Sequence, residues 1–209
     1  MNEVSGALYE HLELMDEDLQ GWNSTAPIFA ELIEEFRPET IIEVGTWKGA
    51  SAIHMAKITK SLGLNTRIWC VDTWLGAEEF WCDQRQTPER NLLLKNGYPT
   101  IYYQFLSNVV HNKCEGIILP FPNTSSIGAI YFQKNNVRSS LIYIDGSHEE
   151  SDVYRDLCDY WEILEKGGAL FGDDFGPRWP GVMASVKRFS RKKWAKLRTS
   201  GVHWCIRKR

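Results

Sequence analysis

Short apolar runs alternate with segments of helical period along most of this chain. Thr40–Val44 and residues 67–71, 116–119, 141–144 and 169–171 are brief runs rich in β-branched, aromatic and other apolar side chains. They are apolar at nearly every position, the pattern of strands buried on both faces. Between them, residues 28–36 repeat apolar positions at helical spacing until Pro38 breaks the pattern. A helix is expected from about 49 to 62, with Ile53, Met55 and Ala56 turned inward. Val153, Leu157, Tyr160, Trp161 and Leu164 recur at i, i+4, i+7, i+8 and i+11, and Gly167-Gly168 is expected to stop that helix. Residues 4–20 read as an acidic, weakly amphipathic helix outside the sheet. Residues 194–198 and 202–206, separated by Thr199-Ser-Gly201, read as a hairpin.

Strands alternating with helices imply right-handed crossovers and a mainly parallel sheet covered on both faces. The expectation is one α/β domain over 1–209: N-terminal helices within 1–38, an insertion at 73–112, and a C-terminal β-hairpin at 194–209. The insertion is too long for a simple crossover, and its residues 99–110 read as helix. It carries Trp74, Phe80, Trp81, Tyr98, Tyr102, Tyr103 and Phe105, so it is expected to cap the substrate. Tyr98, Tyr102 and Tyr103 are candidate substrate contacts, with core or lid packing the plainer use of at least half of the aromatics.

Composition adds exclusions. No apolar run approaches the ~20 residues of a membrane span, and the N-terminus lacks a secretory pattern. The five cysteines are scattered and never form a C-x-x-C pair, so neither a disulfide framework nor a thiolate zinc site is indicated. A reducing, cytoplasmic setting is expected. Residues 187–209 hold ten Lys/Arg and no Asp/Glu, leaving 14 basic against 27 acidic residues elsewhere. The basic tail fits an edge hairpin guarded by cations better than a nucleic-acid patch.

Candidate chemistry sits where strands end. Tyr143-Ile-Asp-Gly-Ser-His closes a strand with Asp145, and Leu170-Phe-Gly-Asp-Asp-Phe closes another with Asp173 and Asp174. Neighbouring strands lie ~4.8 Å apart, so adjacent parallel placement would gather these carboxylates into an oxygen-rich cradle for a hard divalent metal. Capping of a following helix is the bland alternative for Asp145 alone. His148 stands just beyond, placed to take a proton. If Ser147 caps the next helix, His148 lies in its first turn and is kept neutral by the helix dipole and the metal. Arg178 and Trp179, in a Gly/Pro-rich loop after the acids, are candidate substrate contacts.

Glu43-Val-Gly-Thr-Trp-Lys-Gly-Ala-Ser is a strand, a glycine turn and a helix start, but G-x-G-x-x-G is absent. Glu43 suits an ammonium or hydroxyl group rather than a phosphate. Asp72, at the end of the next strand, suits ribose hydroxyls. E-x-G-x-x-x-G followed by a strand-terminal acid resembles the class I S-adenosylmethionine-dependent methyltransferases, from about Thr40 to the C-terminus. The runs V-D-T-W-L-G, N-G-Y-P-T-I-Y-Y-Q-F, Y-I-D-G-S-H and F-G-D-D-F resemble the cephalosporin-hydroxylase-type and macrocin O-methyltransferase-type group. Several of its members methylate sugar hydroxyls with a divalent metal.

That resemblance implies a Rossmann-like fold with seven strands in the order 3-2-1-4-5-7-6. It places Gly45, Thr46, Gly49 and Ser51 around the methionine moiety, with Glu43 beneath it and Trp47 also at the cofactor. Asp72, Thr73 and Trp74 would serve the ribose, with Asp145 also at the cofactor, and Pro122, Asn123 and Ser126 would border the adenine. Asp145, Asp173 and Asp174 would hold Mg²⁺ or Mn²⁺, and Asp145 and His148 would be catalytic. The expected enzyme methylates a hydroxyl of a sugar, glycan or glycosylated small molecule, as a homo-oligomer or as one domain of a larger glycan-processing protein. Three alternatives stand beside it: a catechol or phenolic acceptor, an NAD-dependent oxidoreductase, and a non-catalytic adenosyl-binding module.

Overall fold

The computed structural model describes residues 8–82 and 91–209. Strands β1 (Thr40–Val44), β2 (Arg67–Asp72), β3 (Ile118–Pro122), β4 (Ser139–Ile144), β5 (Leu164–Gly172), β6 (Leu197–Ser200) and β7 (His203–Arg207) form one sheet in the order β3-β2-β1-β4-β5-β7-β6. The pairs from β3 through β5 are parallel, whereas β7 runs antiparallel to both β5 and β6. The chain moves outward from β1 to β3, then returns to place β4 beside β1. Ligands in such sheets bind beyond the carboxyl ends of the strands where the order reverses.

Both faces of the sheet are buried, as the continuous apolar runs require. Ile41, Tyr143 and Phe171 pack into one core with Phe29, Ala56 and Phe105. Their strand neighbours Ile42, Ile142 and Leu170 pack into the other with Phe132, Leu157 and Phe189. Successive strand residues face opposite ways, so each strand feeds two cores. Helices α1 (Pro27–Phe36), α2 (Ala50–Ser61) and α4 (Ile101–His111) supply the first core. Helices α5 (Ser125–Lys134), α6 (Glu150–Ile163) and α7 (Pro180–Lys192) supply the second. A short helix, α3 (Glu78–Cys82), buries none of its residues.

Several sequence expectations are corrected. The described part of the expected N-terminal helix, residues 8–20, is a turn followed by irregular chain. Side chains of α4 replace the helical hydrogen bonds there: Ser107 Oγ accepts from Met15 N, Asn108 Oδ1 accepts from Asp18 N, and Gln104 donates to Asp16 O. Helix α6 ends at Ile163, and Gly167-Gly168 lies inside β5, where Gly167 has φ of 87° and its N–H bonds Lys208 O. The Gly/Pro-rich loop after Asp174 ends at Trp179, and α7 starts at Pro180. Proline suits a first helical position because no partner for its N–H is required there. The hairpin strands begin at Leu197, not at Trp194. Most of the described insertion belongs to the first core through Leu92, Ile101, Leu106 and Val109. Only its start, Thr73 and residues 76–80 and 82, reaches the ligand edge.

Candidate active site

Gly45 lies at the switch point between β1 and β4. It has φ of 83°, and a Cβ added there would stand 2.0 Å from Asp145 O. Gly45 N donates to Val71 O at 2.9 Å, and Asp145 N donates to Val44 O at 2.7 Å, so the turn is fastened to the strands on either side. Any larger residue would push the β1 and β4 ends apart.

Asp72 organises this turn. Its Oδ2 accepts from Thr46 N at 2.8 Å and Trp47 N at 2.9 Å, and its Oδ1 accepts from Trp74 N at 2.7 Å. Trp74 is buried and returns a bond from its indole N–H to Trp47 O. A carboxylate has about four lone-pair sites, so Oδ1 keeps capacity for one more donor. Beneath the turn, Glu43 is wholly buried. It accepts from the Ser51 hydroxyl at Oε1 and from the Cys70 thiol at Oε2. Burial pushes its carboxyl up to about 8, against the lowering effect of its hydroxyl and thiol partners.

The acids at the β4 and β5 ends each have a different protein partner. Tyr143 OH donates to Asp145 at 3.0 Å. Asn23 donates to Asp173 Oδ2 at 2.9 Å, while Asp173 Oδ1 is buried with no hydrogen-bond partner among the described residues. His203 Nε2, also buried and unpartnered, stands 3.7 Å from that oxygen. Burial holds the Asp145 carboxyl well above the usual range, reinforced by the charges of Asp173 and Asp174. Asp173 is likewise raised, by burial first. As the side chains stand, no three His, Cys, Asp or Glu among the described residues converge closely enough to hold an ion.

His148 departs from expectation. Helix α6 begins at Glu150 with Glu149 as N-cap, so His148 precedes the helix and Ser147 does not cap it. Ser147 Oγ instead accepts from Glu149 N at 3.1 Å. The His148 ring is held at both nitrogens, Nε2 at 2.9 Å from Asp174 and Nδ1 at 3.2 Å from Glu79. Burial pulls its pKa down, but the bonds and charges of these carboxylates push it to about 9. The imidazole is therefore held as a cation, not neutral. It stacks on Trp179 with ring centroids 3.7 Å apart, covering one face of that indole.

A single cavity of about 1280 Å³ gathers most of the residues singled out in the sequence. The cofactor candidates Gly45, Thr46, Trp47, Ser51, Asp72, Thr73, Asn123, Ser126 and Asp145 line it. So do His148, Asp173, Asp174, Arg178 and Trp179. Glu43 lies under it, Gly49 packs on Phe105, Trp74 is in the core, and Pro122 is turned to solvent. Tyr98, Tyr102 and Tyr103 do not reach it. Tyr98 and Tyr103 are 65% and 52% exposed elsewhere, and Tyr102 packs edge-on against Trp74. Aromatic content marked the insertion without telling which face each ring would take. Phe80, among the aromatics of the expected cap, does line the cavity, whereas sequence reasoning missed Gln20–Ser24, Glu79 and Asp156, which line it too. The nearest available signal was polar and aromatic residues clustered at 20–24 after an acidic segment.

A family model described as a methyltransferase domain matches residues 42–175. No curated protein matches the sequence. An O-methyltransferase from Bacillus cereus, solved with S-adenosylhomocysteine, is 13% identical, with 99% of this chain and 90% of that one covered and a TM-score of 0.63. A putative caffeoyl-CoA O-methyltransferase from Staphylococcus aureus is 14% identical, with 98% and 90% covered and a TM-score of 0.61. A calicheamicin methyltransferase is 18% identical, with 86% and 76% covered and a TM-score of 0.58. The oxidoreductase alternative is displaced by the family match. With most of the chain matched, and its glycine turn at the switch point of a sheet ordered 3-2-1-4-5-7-6, this chain belongs to the methyltransferase-domain family.

Proposed function

We propose that this protein is an S-adenosylmethionine-dependent O-methyltransferase acting on a hydroxyl of a sugar or glycosylated small molecule, assisted by a divalent cation. The observation that carries this reading is the sharing of one cavity by the glycine turn and the acids of β4 and β5. S-adenosylmethionine supplies a methyl group on a positively charged sulfur. Its binding is consistent with the room at the Gly45 turn and with the spare acceptor site on Asp72. Asn123, Ser125 and Ser126, past the end of β3, are placed to border the adenine.

A bound divalent cation supplies charge that acidifies an alcohol. Asp145, Asp173 and Asp174 suit such an ion in kind, because all are oxygen donors and Asp173 Oδ1 lacks a hydrogen-bond partner among the described residues. They do not yet suit it in arrangement. Asp145 accepts from Tyr143 and Asp174 bonds His148, and the three carboxylates have to draw together before they share an ion.

In this reading the acceptor's proton goes to His148. His148 Nε2 faces the acid cluster and is taken up by Asp174, so an acceptor hydroxyl bonds that nitrogen only by replacing Asp174. The ring carries its proton while Nε2 bonds Asp174, so His148 serves as the base only after Asp174 has left and that proton has passed to solvent, with Glu79 at Nδ1 holding the ring in place. Arg178 lies 5.3 Å from the Trp179 ring, placing a cation at the cavity rim for polar acceptor groups.

The test is methyl transfer to panels of glycosides and catechols with Mg²⁺, Mn²⁺ or EDTA. Turnover of glycosides that EDTA abolishes and Mn²⁺ restores is expected, with Asp173→Asn falling about 100-fold or more, the scale of losing one transition-state charge partner. Turnover confined to catechols removes the sugar assignment. EDTA-resistant turnover removes the cation.

A further inference from the structure

The turn at 20–24 has no role in the reading above, yet it enters the cavity from the far end of the chain. Residues 12–20 are fastened to α4 by side-chain bonds that continue beyond those already described. Asn108 Nδ2 donates to both Asp18 O and Lys48 O, and Asn112 donates to Glu17. Buried Lys48 pairs with Asp18 at 2.6 Å, and Trp47 Nε1 donates to Gln20 Oε1 at 3.0 Å. The strap is thus anchored to the glycine turn itself, one residue beyond Thr46.

At its end, two side chains face different parts of the site. Asn23 donates to Asp173 Oδ2. Trp22 stands with its ring centroid 6.3 Å from both Trp47 and Phe80, and it remains 47% exposed. Trp47 and Phe80 pack edge-on at 4.9 Å, so they back Trp22 without covering it. Phe80 follows Glu79, whose carboxylate bonds His148. The aromatic group and the proton-handling histidine are therefore coupled through one short helix.

An indole left half open at the mouth of a polar, acid-lined cavity is suited to a ring with an apolar face and polar edges. A pyranoside has that form: axial C–H groups on one face and hydroxyls around the rim. We infer that Gln20–Ser24 is an acceptor subsite, in which Trp22 carries the sugar ring and Asn23 sets Asp173 relative to it. Trp22 is a specificity residue and Asn23 a positioning residue. This inference rests on the proposed O-methyl transfer and names the part of the site that selects its acceptor.

The experiment uses the full chain with p-nitrophenyl pyranosides as acceptors and S-adenosylhomocysteine as a separate binding probe. Trp22→Ala is expected to raise the acceptor KM about tenfold, the scale of losing a stacking contact. Its affinity for S-adenosylhomocysteine and its Tm should stay close to wild type. Trp22→Phe should recover most of the acceptor KM. Asn23→Ala should lower kcat more than it raises KM. Trp194→Ala serves as the control, since Trp194 is 88% exposed and outside the cavity. An unchanged acceptor KM in Trp22→Ala overturns the inference. So does an equal loss of acceptor and S-adenosylhomocysteine binding, which marks the tryptophan as merely structural. A wild type that transfers no methyl group sinks the underlying assignment, and the subsite with it.

Discussion

Glu43 occupies a position where a carboxylate is hard to keep ionised. It is fully buried on β1, where neutral hydroxyl and thiol groups bond its carboxylate. Its pKa stands at about 8 in the fold against 4.5 for the free group. Below about pH 4.5 the proton is bound in both states and Glu43 does not oppose folding. As pH rises toward 8 the unfolded chain releases that proton and the folded one retains it, so stability falls across that window. One pKa unit is about 1.4 kcal/mol, so the loss by pH 8.5 is roughly 3–6 kcal/mol. Glu43→Gln removes the titration, and urea unfolding at pH 5, 7 and 8.5 should show the variant gaining on wild type as pH rises. A constant difference would mean that Glu43 is ionised in the fold. At this scale the sequence made Glu43, Gly45, Asp72, Asp145, Asp173 and Asp174 legible, because acids and glycines at strand ends stand out from apolar runs. It did not reveal that Asp72 is spent on backbone amides, since N–H partners leave no trace in residue identity. Nor did it reveal that His148 lies between two carboxylates, because Glu79 comes from a distant segment.

Among elements, the β1–β5 runs and helices α1, α2, α4 and α6 were readable because hydrophobic period reports burial directly. Helix α7 was harder. Its core face is Val182, Ser185, Val186, Phe189 and Ser190, with two serines diluting the apolar stripe, and its first residue is a proline. The strap at 12–20 failed for the opposite reason. Its acidic, weakly apolar composition permits a helix, but tertiary hydrogen bonds from α4 offered its backbone better partners. Asn108 is central: its oxygen accepts from Asp18 N and Gln104 Nε2, and its nitrogen donates to Asp18 O and Lys48 O. Asn108→Ala removes the side-chain partner of Asp18 N, Asp18 O and Lys48 O, at about 1–3 kcal/mol for such a loss. Hydrogen exchange should then speed up at residues 12–20 while the β1 and β4 amides keep their protection. Equal acceleration throughout would show that the strap is part of one cooperative unit rather than an attached element.

For the molecule as a whole, the strand order entered with the family resemblance, since apolar runs identify strands but not their neighbours. What the assembled fold adds is convergence. The cavity takes walls from the strap, the ends of β1, β2 and β4, α3, the start of α5, the side of α6 and the loop before α7. These come from both cores, so a ligand that fills the cavity adds to contacts such as Glu79–His148 and Asn23–Asp173 in bracing distant parts of the chain against one another. Binding to the folded state alone stabilises by about 2.7 kcal/mol at a free concentration 100 times Kd. For a chain of this size each kcal/mol shifts Tm by about 2–4 °C. S-adenosylhomocysteine at that excess should therefore raise Tm by about 5–10 °C. The dinucleotide NAD should leave Tm unchanged, because the loop after β1 lacks the three-glycine phosphate cradle. Thermal unfolding with each compound separates the two outcomes, and a shift with NAD equal to that with S-adenosylhomocysteine would show that the cavity recognises adenosine without regard to the methionine end. The strap makes the contrast sharper: Asn108→Ala should bind S-adenosylhomocysteine more weakly than wild type, because the anchor of Trp47 and Gln20 over the glycine turn is loosened with it.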